Sequence, residues 1–450
     1  MNRIKVGVCL AVVAACLTAV APVAKEQDKK KGESIAITNV RIFDGDRMIP
    51  DGTVIITGQT ITYVGTNATK IPDGAQVIDG TGKTLMPGMI DGHAHDWGWG
   101  VERALVFGVT TELEMFGDGP TAQYIRNQEA VDGAPQWASL VTAGTLATVP
   151  GGHGTQYGLA IPTLTQPSDA QPWVDGRLAE GSDFIKIALE DGSPYRFPTP
   201  WPTLDRATMA AVIDAAHARK KLAVAHISEE SYARWAIEEN VDGLVHIFQD
   251  APATPGFAAL AAQRKVFVVP TLSVLESTTG VASGQSLTTD PRLAPYLTAE
   301  EIENLRASFR NWGGLSLAPA LTTVAELHAA GVPILAGTDV ANPGTAWGVS
   351  MHREIELLVS AGLSPLAALR SATSVAADAF ELKDRGRIKQ GLRADLLLVN
   401  GNPENDITNT RDIARVWKLG HEVVRTPVGG APSLAMKRAF QEARAHAHLH

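Results

Sequence analysis

Two histidines separated by one residue close the run Pro87-Gly-Met-Ile-Asp-Gly-His-Ala-His95. Side chains alternate faces along a β-strand, so His93 and His95 point the same way, and two imidazoles on one face suit a divalent metal. The bland alternative is a loop in which both rings find ordinary hydrogen bonds. Four more polar residues interrupt or end apolar runs: Lys186 in Phe184-Ile-Lys-Ile-Ala-Leu189, His226 ending Lys221-Leu-Ala-Val-Ala-His226, His246 ending Val241-Asp-Gly-Leu-Val-His246, and Asp339 after Ile334-Leu-Ala-Gly-Thr338. Singly, each has a plain structural explanation. Lys186 could pair with Glu190 or Asp191, either histidine could be a satisfied core residue, and Asp339 could cap a helix. Together they fall at the same end of successive expected strands, which favours one shared site.

Such a site needs a scaffold that brings many strand ends together. Between about residues 86 and 385 apolar strands alternate with amphipathic helices, the pattern of a parallel sheet with helical crossovers. Strand ends are expected at the opening histidine run, at 109–116, 138–144, 184–189, 221–226, 241–246, 266–272 and 332–339. That number predicts an α/β fold, a (β/α)8 TIM-like barrel whose active site lies at the C-terminal ends of its strands. Short β-type runs in 35–85 and again in 386–430 predict a composite β-sandwich built from both flanks of the barrel. Helix punctuation agrees: Thr298 with Glu301 forms a capping box, Ser364-Pro365 starts a helix, and Gly362 stops the preceding one.

The formal charge of −9 and the absence of a basic block beyond Lys29-Lys30-Lys31 argue against nucleic acid or an anionic membrane as partner. A small-molecule substrate and a homo-oligomeric enzyme are expected. Residues 1–24 carry Arg3 and Lys5 before an Ala/Val-rich apolar run, the layout of a signal peptide, so the protein is expected to be exported to the periplasm or secreted. No membrane span is expected once that segment is removed, and the mature charge becomes −11. Cys9 and Cys16 both lie inside it, which leaves neither a disulfide nor a thiolate metal site. Val13-Ala14-Ala15-Cys16 resembles a lipoprotein box, but the apolar run continues to Val23 and fits cleavage near Ala24 better. Residues 25–34 read as a charged, flexible linker, and 431–450 as a C-terminal helix and tail ending in His446, His448 and His450.

The motif set as a whole resembles the amidohydrolase superfamily. The resemblance rests on Pro87 to His95, Pro150-Gly-Gly-His-Gly154, Asp183-Phe-Ile-Lys-Ile187, Ala225-His226, Val245-His246, Gly337-Thr-Asp339, His352-Arg-Glu-Ile-Glu356, Gly386-Arg-Ile388 and Ala394-Asp-Leu-Leu-Leu-Val-Asn400. It points to the binuclear branch that holds prolidase-like dipeptidases, ochratoxinase-like amidases and imidazolonepropionase-related proteins. It implies that Lys186 is carboxylated and bridges two divalent ions, with Zn2+ suiting an all-N/O ligand set. One ion would take His93, His95 and Asp339, the other His226 and His246, and Asp339 would serve as catalytic base. Glu112-Leu-Glu-Met-Phe116 and Val245-His246-Ile247 depart from the family pattern, so substrate contacts do not transfer from relatives.

The expected activity is hydrolysis of an amide bond in a dipeptide or N-acyl amino acid. The alternatives are a cyclic amide, lactone or carbamate cleaved by the same machinery, or a metal-free binding protein that keeps only the fold. Trp97, Trp99, Met115, Phe116, Tyr195, Phe197 and Trp201 follow the expected strand ends and suggest an apolar or aromatic substrate group. His153, with Tyr157 beside it, is the candidate to bind a polar end such as a carboxylate.

Overall fold

The computed structural model describes residues 34–431 except 67–69, 97–99, 130–135, 158–159, 197–198 and 312–313. The expected signal peptide, nearly all of the linker, the C-terminal helix with its histidine tail, and Trp97, Trp99 and Phe197 lie outside the described residues. Among the described residues no helix is long and apolar enough to cross a membrane.

Both flanks enter one eight-stranded sheet. Its strands are β1 (Ser34–Phe43), β2 (Met48–Thr57), β3 (Thr60–Gly65), β4 (Gln76–Asp79) and β5 (Lys83–Pro87) from the N-terminal side. The central elements then follow as β6 (Met89–Ala94), β7 (Val109–Glu114), β8 (Ser139–Thr142), β9 (Ile185–Leu189), β10 (Ala223–Ile227), β11 (Gly243–Val245) and β12 (Phe267–Val269). The C-terminal flank adds β13 (Leu396–Asn400), β14 (Ile413–Lys418) and β15 (His421–Glu422). In the flanking sheet the order is β15-β14-β13-β5-β1-β2-β3, with β4 beside β1. The two chain ends meet where β5 pairs antiparallel with β13, Leu85 facing Leu398. One face is closed by Ile37, Val54, Ile56, Leu396 and Trp417, which pack as one apolar cluster. The two flanks expected to build a composite β-sandwich form a single hydrogen-bonded eight-stranded sheet. It runs two residues past the expected boundary at 85, to Pro87.

Only Gly88 separates this sheet from β6. A Cβ there would lie 2.3 Å from Thr110 Cγ2, so no larger residue fits the crossing. Buried Lys418 fastens the sheet to the central region by donating to Thr110 O at 3.0 Å and Ser139 Oγ at 2.5 Å, with Asp395 Oδ2 at 3.1 Å.

The central strands form two parallel sheets, β6-β7-β8 and β12-β11-β10-β9. Every residue of β6, β7 and β9 is buried, as expected of parallel strands covered on both faces. Single parallel bridges extend the edges: Ala147 to Ile187, Val268 to Ile334, and Ala94 to Val340. The segment 332–339, expected as a strand, is not one. It bonds to Val268 on one side and to Gly92 and His93 on the other without forming a regular strand. Pro333 has no N–H to give, and Asp339 turns into the left-handed region at φ +53°, so a regular ladder cannot run through it. The predicted capping box at Thr298 and Glu301 and the Ser364 N-cap with Pro365 are both present.

Candidate metal centre

The end of β6 and the segment 336–339 carry three of the candidate ligands and approach each other closely. A Cβ on Gly92 would lie 2.7 Å from Ala336 O, and one on Gly337 would lie 2.8 Å from His93 N. Glycine at both positions is thus what lets the two backbones meet. Asp91 bridges the gap, accepting from His93 N at 3.0 Å, Thr338 N at 3.0 Å and Thr338 Oγ1 at 2.6 Å.

The side chains converge accordingly. His93 Nε2 and His95 Nε2 are 3.3 Å apart, and Asp339 Oδ1 lies 3.3 Å from the first and 3.0 Å from the second. His246 Nε2 completes the group at 4.0 Å from Asp339 Oδ2. Ligands about 2.1 Å from a tetrahedral ion stand about 3.4 Å from one another, so this donor set has the spacing of a cation shell. His246 and Asp339 both take left-handed backbone, φ +68° and +53°, a costly choice for residues with a Cβ and one that recurs at functional sites. His246 Nδ1 lies 2.7 Å from Thr271 Oγ1, and Thr271 is itself left-handed. Glu354, from the His352 to Glu356 motif, accepts from Leu272 N and Ser273 N and so braces that turn.

A second group forms around Glu190, where His226 Nε2 donates to Glu190 Oε2 at 2.6 Å and His153 Nδ1 stands 2.9 Å from the same oxygen. His153, Glu190 and His226 form one candidate metal-holding trio, and His93, His246 and Asp339 form the other. The implied division of ligands placed His246 with His226. Their rings are 4.5 Å apart, but the nearest carboxylate to His246 in this arrangement is Asp339.

Burial sets the charges. It pushes His93 and His246 well below the ordinary imidazole value and His226 to about 4, leaving neutral rings with lone pairs to give. Burial also pushes Lys186 down to about 7, with Asp339 and Glu114 acting in the opposite sense. Burial works against the Glu190 charge, but contact with His226 and His153 holds its carboxyl well below the usual range.

All the candidate residues share one cavity of about 140 Å³: His93, His95, Lys186, His226, His246 and Asp339, together with His153 and Tyr157. Met115, Phe116 and Tyr195 line it as the sequence suggested, whereas Trp201 packs against His153 with the rings tilted by 49° and their centroids 5.7 Å apart. Leu146, Val274, Leu275, Phe309 and Leu315 add apolar wall. Sequence reasoning missed Glu190 as a partner of the histidines, and it missed Arg310 at the cavity rim. The signal for Glu190 was its register, four residues after Lys186 and therefore on the same face of an extended chain.

Comparison with known proteins decides the family, because a model described as the amidohydrolase family matches residues 84–423. The chain belongs to that family. This amidohydrolase is 25% identical to an imidazolonepropionase of Deinococcus radiodurans over 397 residues, 84% of this chain and 93% of that one. It is 28% identical to an imidazolonepropionase of Cereibacter sphaeroides over 411 residues, 84% and 94% of the two chains. Among solved structures, a Bifidobacterium longum protein whose prolidase name is provisional superposes with a TM-score of 0.70 at 26% identity. That superposition covers 92% of this chain and all of the other. The protein is thus an enzyme that hydrolyses carbon–nitrogen bonds, in a family whose members typically bind metal ions.

Proposed function

We propose that the protein is a metal-dependent hydrolase of the amide bond in a dipeptide or N-acyl amino acid, working on a closed barrel completed by segment 332–340. The observation that carries this reading is the meeting of His93, His95, His246 and Asp339 donor atoms at metal-shell spacing in a cavity that also holds Lys186 and His226. His93, His95 and Asp339 would hold one divalent ion, and His226 and His246 a second. Carboxylated Lys186 would be shared between them, with Zn2+ the ion that best suits nitrogen and oxygen ligands. The neutral amine favoured by the burial of Lys186 is the form that can take up CO2. When bound, two such ions supply a water of lowered pKa and Lewis acidity toward the scissile carbonyl.

The chain's own residues do the rest. Asp339, whose two oxygens face different histidines, accepts a proton from the attacking water and returns it to the leaving nitrogen. The apolar wall of Met115, Phe116, Leu146, Val274, Leu275, Phe309 and Leu315 excludes water and receives a large apolar side chain. The carboxylate of the substrate is held by His153, with Tyr157 beside it, and by Arg310 at the rim. The prolidase name of the Bifidobacterium longum protein agrees with a substrate of this kind. A second reading, a cyclic amide, lactone or carbamate, is favoured by the imidazolonepropionase relatives. The N-terminal segment supports a site of action outside the cytoplasm.

The test compares hydrolysis of N-acetyl-Phe and N-acetyl-Leu with N-acetyl-Gly, N-acetyl-Asp and a cyclic amide, in the wild type and in Arg310→Gln and His153→Ala. The apolar substrates should be preferred, and Arg310→Gln should raise their KM roughly 10- to 100-fold, the loss of a charged hydrogen bond. A preference for Gly or Asp removes the apolar pocket from the account. Cleavage of the cyclic amide alone establishes the second reading.

A further inference from the structure

We infer that Glu190 is a positioning residue: its carboxylate fixes which nitrogen of His226 faces the second cation and ties that histidine to His153. This rests on the two-ion reading of the site. Glu190 directly follows β9 and is 3% exposed. In an extended chain residues two and four apart share a face, so Lys186, Ala188 and Glu190 point into the same interior, and Lys186 and Glu190 both line the cavity. Ion pairing with Lys186 does not account for the glutamate, since the charged neighbours of Lys186 are Asp339 and Glu114. The two imidazoles account for it: Oε2 is 2.6 Å from His226 Nε2 and 2.9 Å from His153 Nδ1.

The contact to His226 is too short for two ligands of one ion and points to a positioning role. Two ligands of one tetrahedral ion stand about 3.4 Å apart, and 2.6 Å is the length of a strong hydrogen bond to a carboxylate. An ionised carboxylate can only accept, so the proton of neutral His226 sits on Nε2 and the lone pair is left on Nδ1. His246 is set the opposite way by the same logic. Its Nδ1 is engaged with Thr271 Oγ1 at 2.7 Å, which leaves Nε2 toward Asp339. The two histidines that would hold the second ion are therefore oriented by different partners, a carboxylate for one and a hydroxyl for the other. Partners of this kind typically change metal affinity 10- to 100-fold when removed.

The test reconstitutes full-length, chelator-stripped protein with Co2+ and follows bound equivalents, affinity and the visible spectrum. Wild type is compared with Glu190→Ala, Glu190→Gln and His153→Ala, and the melting temperature of each metal-free protein is recorded. Wild type should take two ions. Glu190→Ala should bind the second 10- to 100-fold more weakly with the first unchanged. Glu190→Gln, whose amide oxygen still accepts from His226 Nε2, should recover most of the loss, and His153→Ala should keep both ions. A Glu190→Ala protein with wild-type affinity for the second ion overturns the inference. So does a His153→Ala protein that loses the second ion as strongly, since His153 would then be a ligand. Loss of both ions from both Glu190 variants, with a lowered metal-free melting temperature, overturns it in favour of a purely structural role. A wild type that binds a single ion refutes the two-ion reading itself, and with it this assignment.

Discussion

Asp91 and Thr338 stand 247 residues apart in the chain and share two hydrogen bonds, the Thr338 backbone N–H to Oδ1 at 3.0 Å and its hydroxyl to Oδ2 at 2.6 Å. The same Oδ1 takes the N–H of His93. One buried carboxylate thereby holds the strand that carries His93 and His95 against the segment that carries Asp339. Asp91→Ala strands two buried donors, the His93 N–H and the Thr338 hydroxyl, each costing roughly 1–3 kcal/mol when unpaired, and leaves the Thr338 N–H only its 3.2 Å bond to His93 O, so unfolding in urea should shift to clearly lower concentrations. Metal affinity should fall with it. Asp91→Asn keeps an acceptor for the two N–H groups and should be milder in both measurements.

Lys186→Ala should lose most bound metal and most activity. Addition of a short carboxylate with metal should restore part of the rate, because the proposed role of this side chain is only to supply bridging oxygens. A Lys186→Ala enzyme with full metal content and full rate rules out a carboxylated lysine.

Asp339→Asn should behave differently. An oxygen ligand survives and a proton acceptor disappears, so the variant should retain at least one ion and lose roughly 100-fold or more in kcat. A near-normal rate at neutral pH places the base elsewhere.

Glu129 gives a pH dependence that lies away from the metal centre. Burial acts to raise its carboxyl, but Lys418 and Arg393 hold it down to about 2, with Arg393 Nη2 at 2.6 Å and Lys418 Nζ at 3.1 Å. A carboxyl lowered in the folded state contributes stability that is complete above its ordinary value near 4.5 and is lost as pH falls toward about 2. Wild type should therefore lose stability between those limits more steeply than Glu129→Gln, as read by urea midpoints across that range.

The six candidate ligands were legible because each is a polar residue that interrupts or ends an apolar run, and a run of that kind has few other uses for histidine or lysine. Glu190 was not, since an acid just past a strand reads equally well as a solvated loop residue or as a partner for Lys186. Arg310 escaped because no periodic element carries it to the cavity. Asp91 was visible inside its motif, yet its role depends on Thr338, and sequence spacing cannot show that contact. The run from Val332 to Ala336 has strand composition, but Pro333 and the left-handed Asp339 deny it a regular ladder.

Metal held by this cavity is proposed to drive amide hydrolysis. The most direct measurement is the turnover of N-acetyl-Phe by chelator-stripped enzyme as Zn2+ is added back, with bound metal determined in the same samples. Turnover should be negligible in the stripped protein and should rise to saturate at two equivalents per chain. Full turnover without metal, or saturation with metal and no hydrolysis of any amide tested, contradicts that proposal.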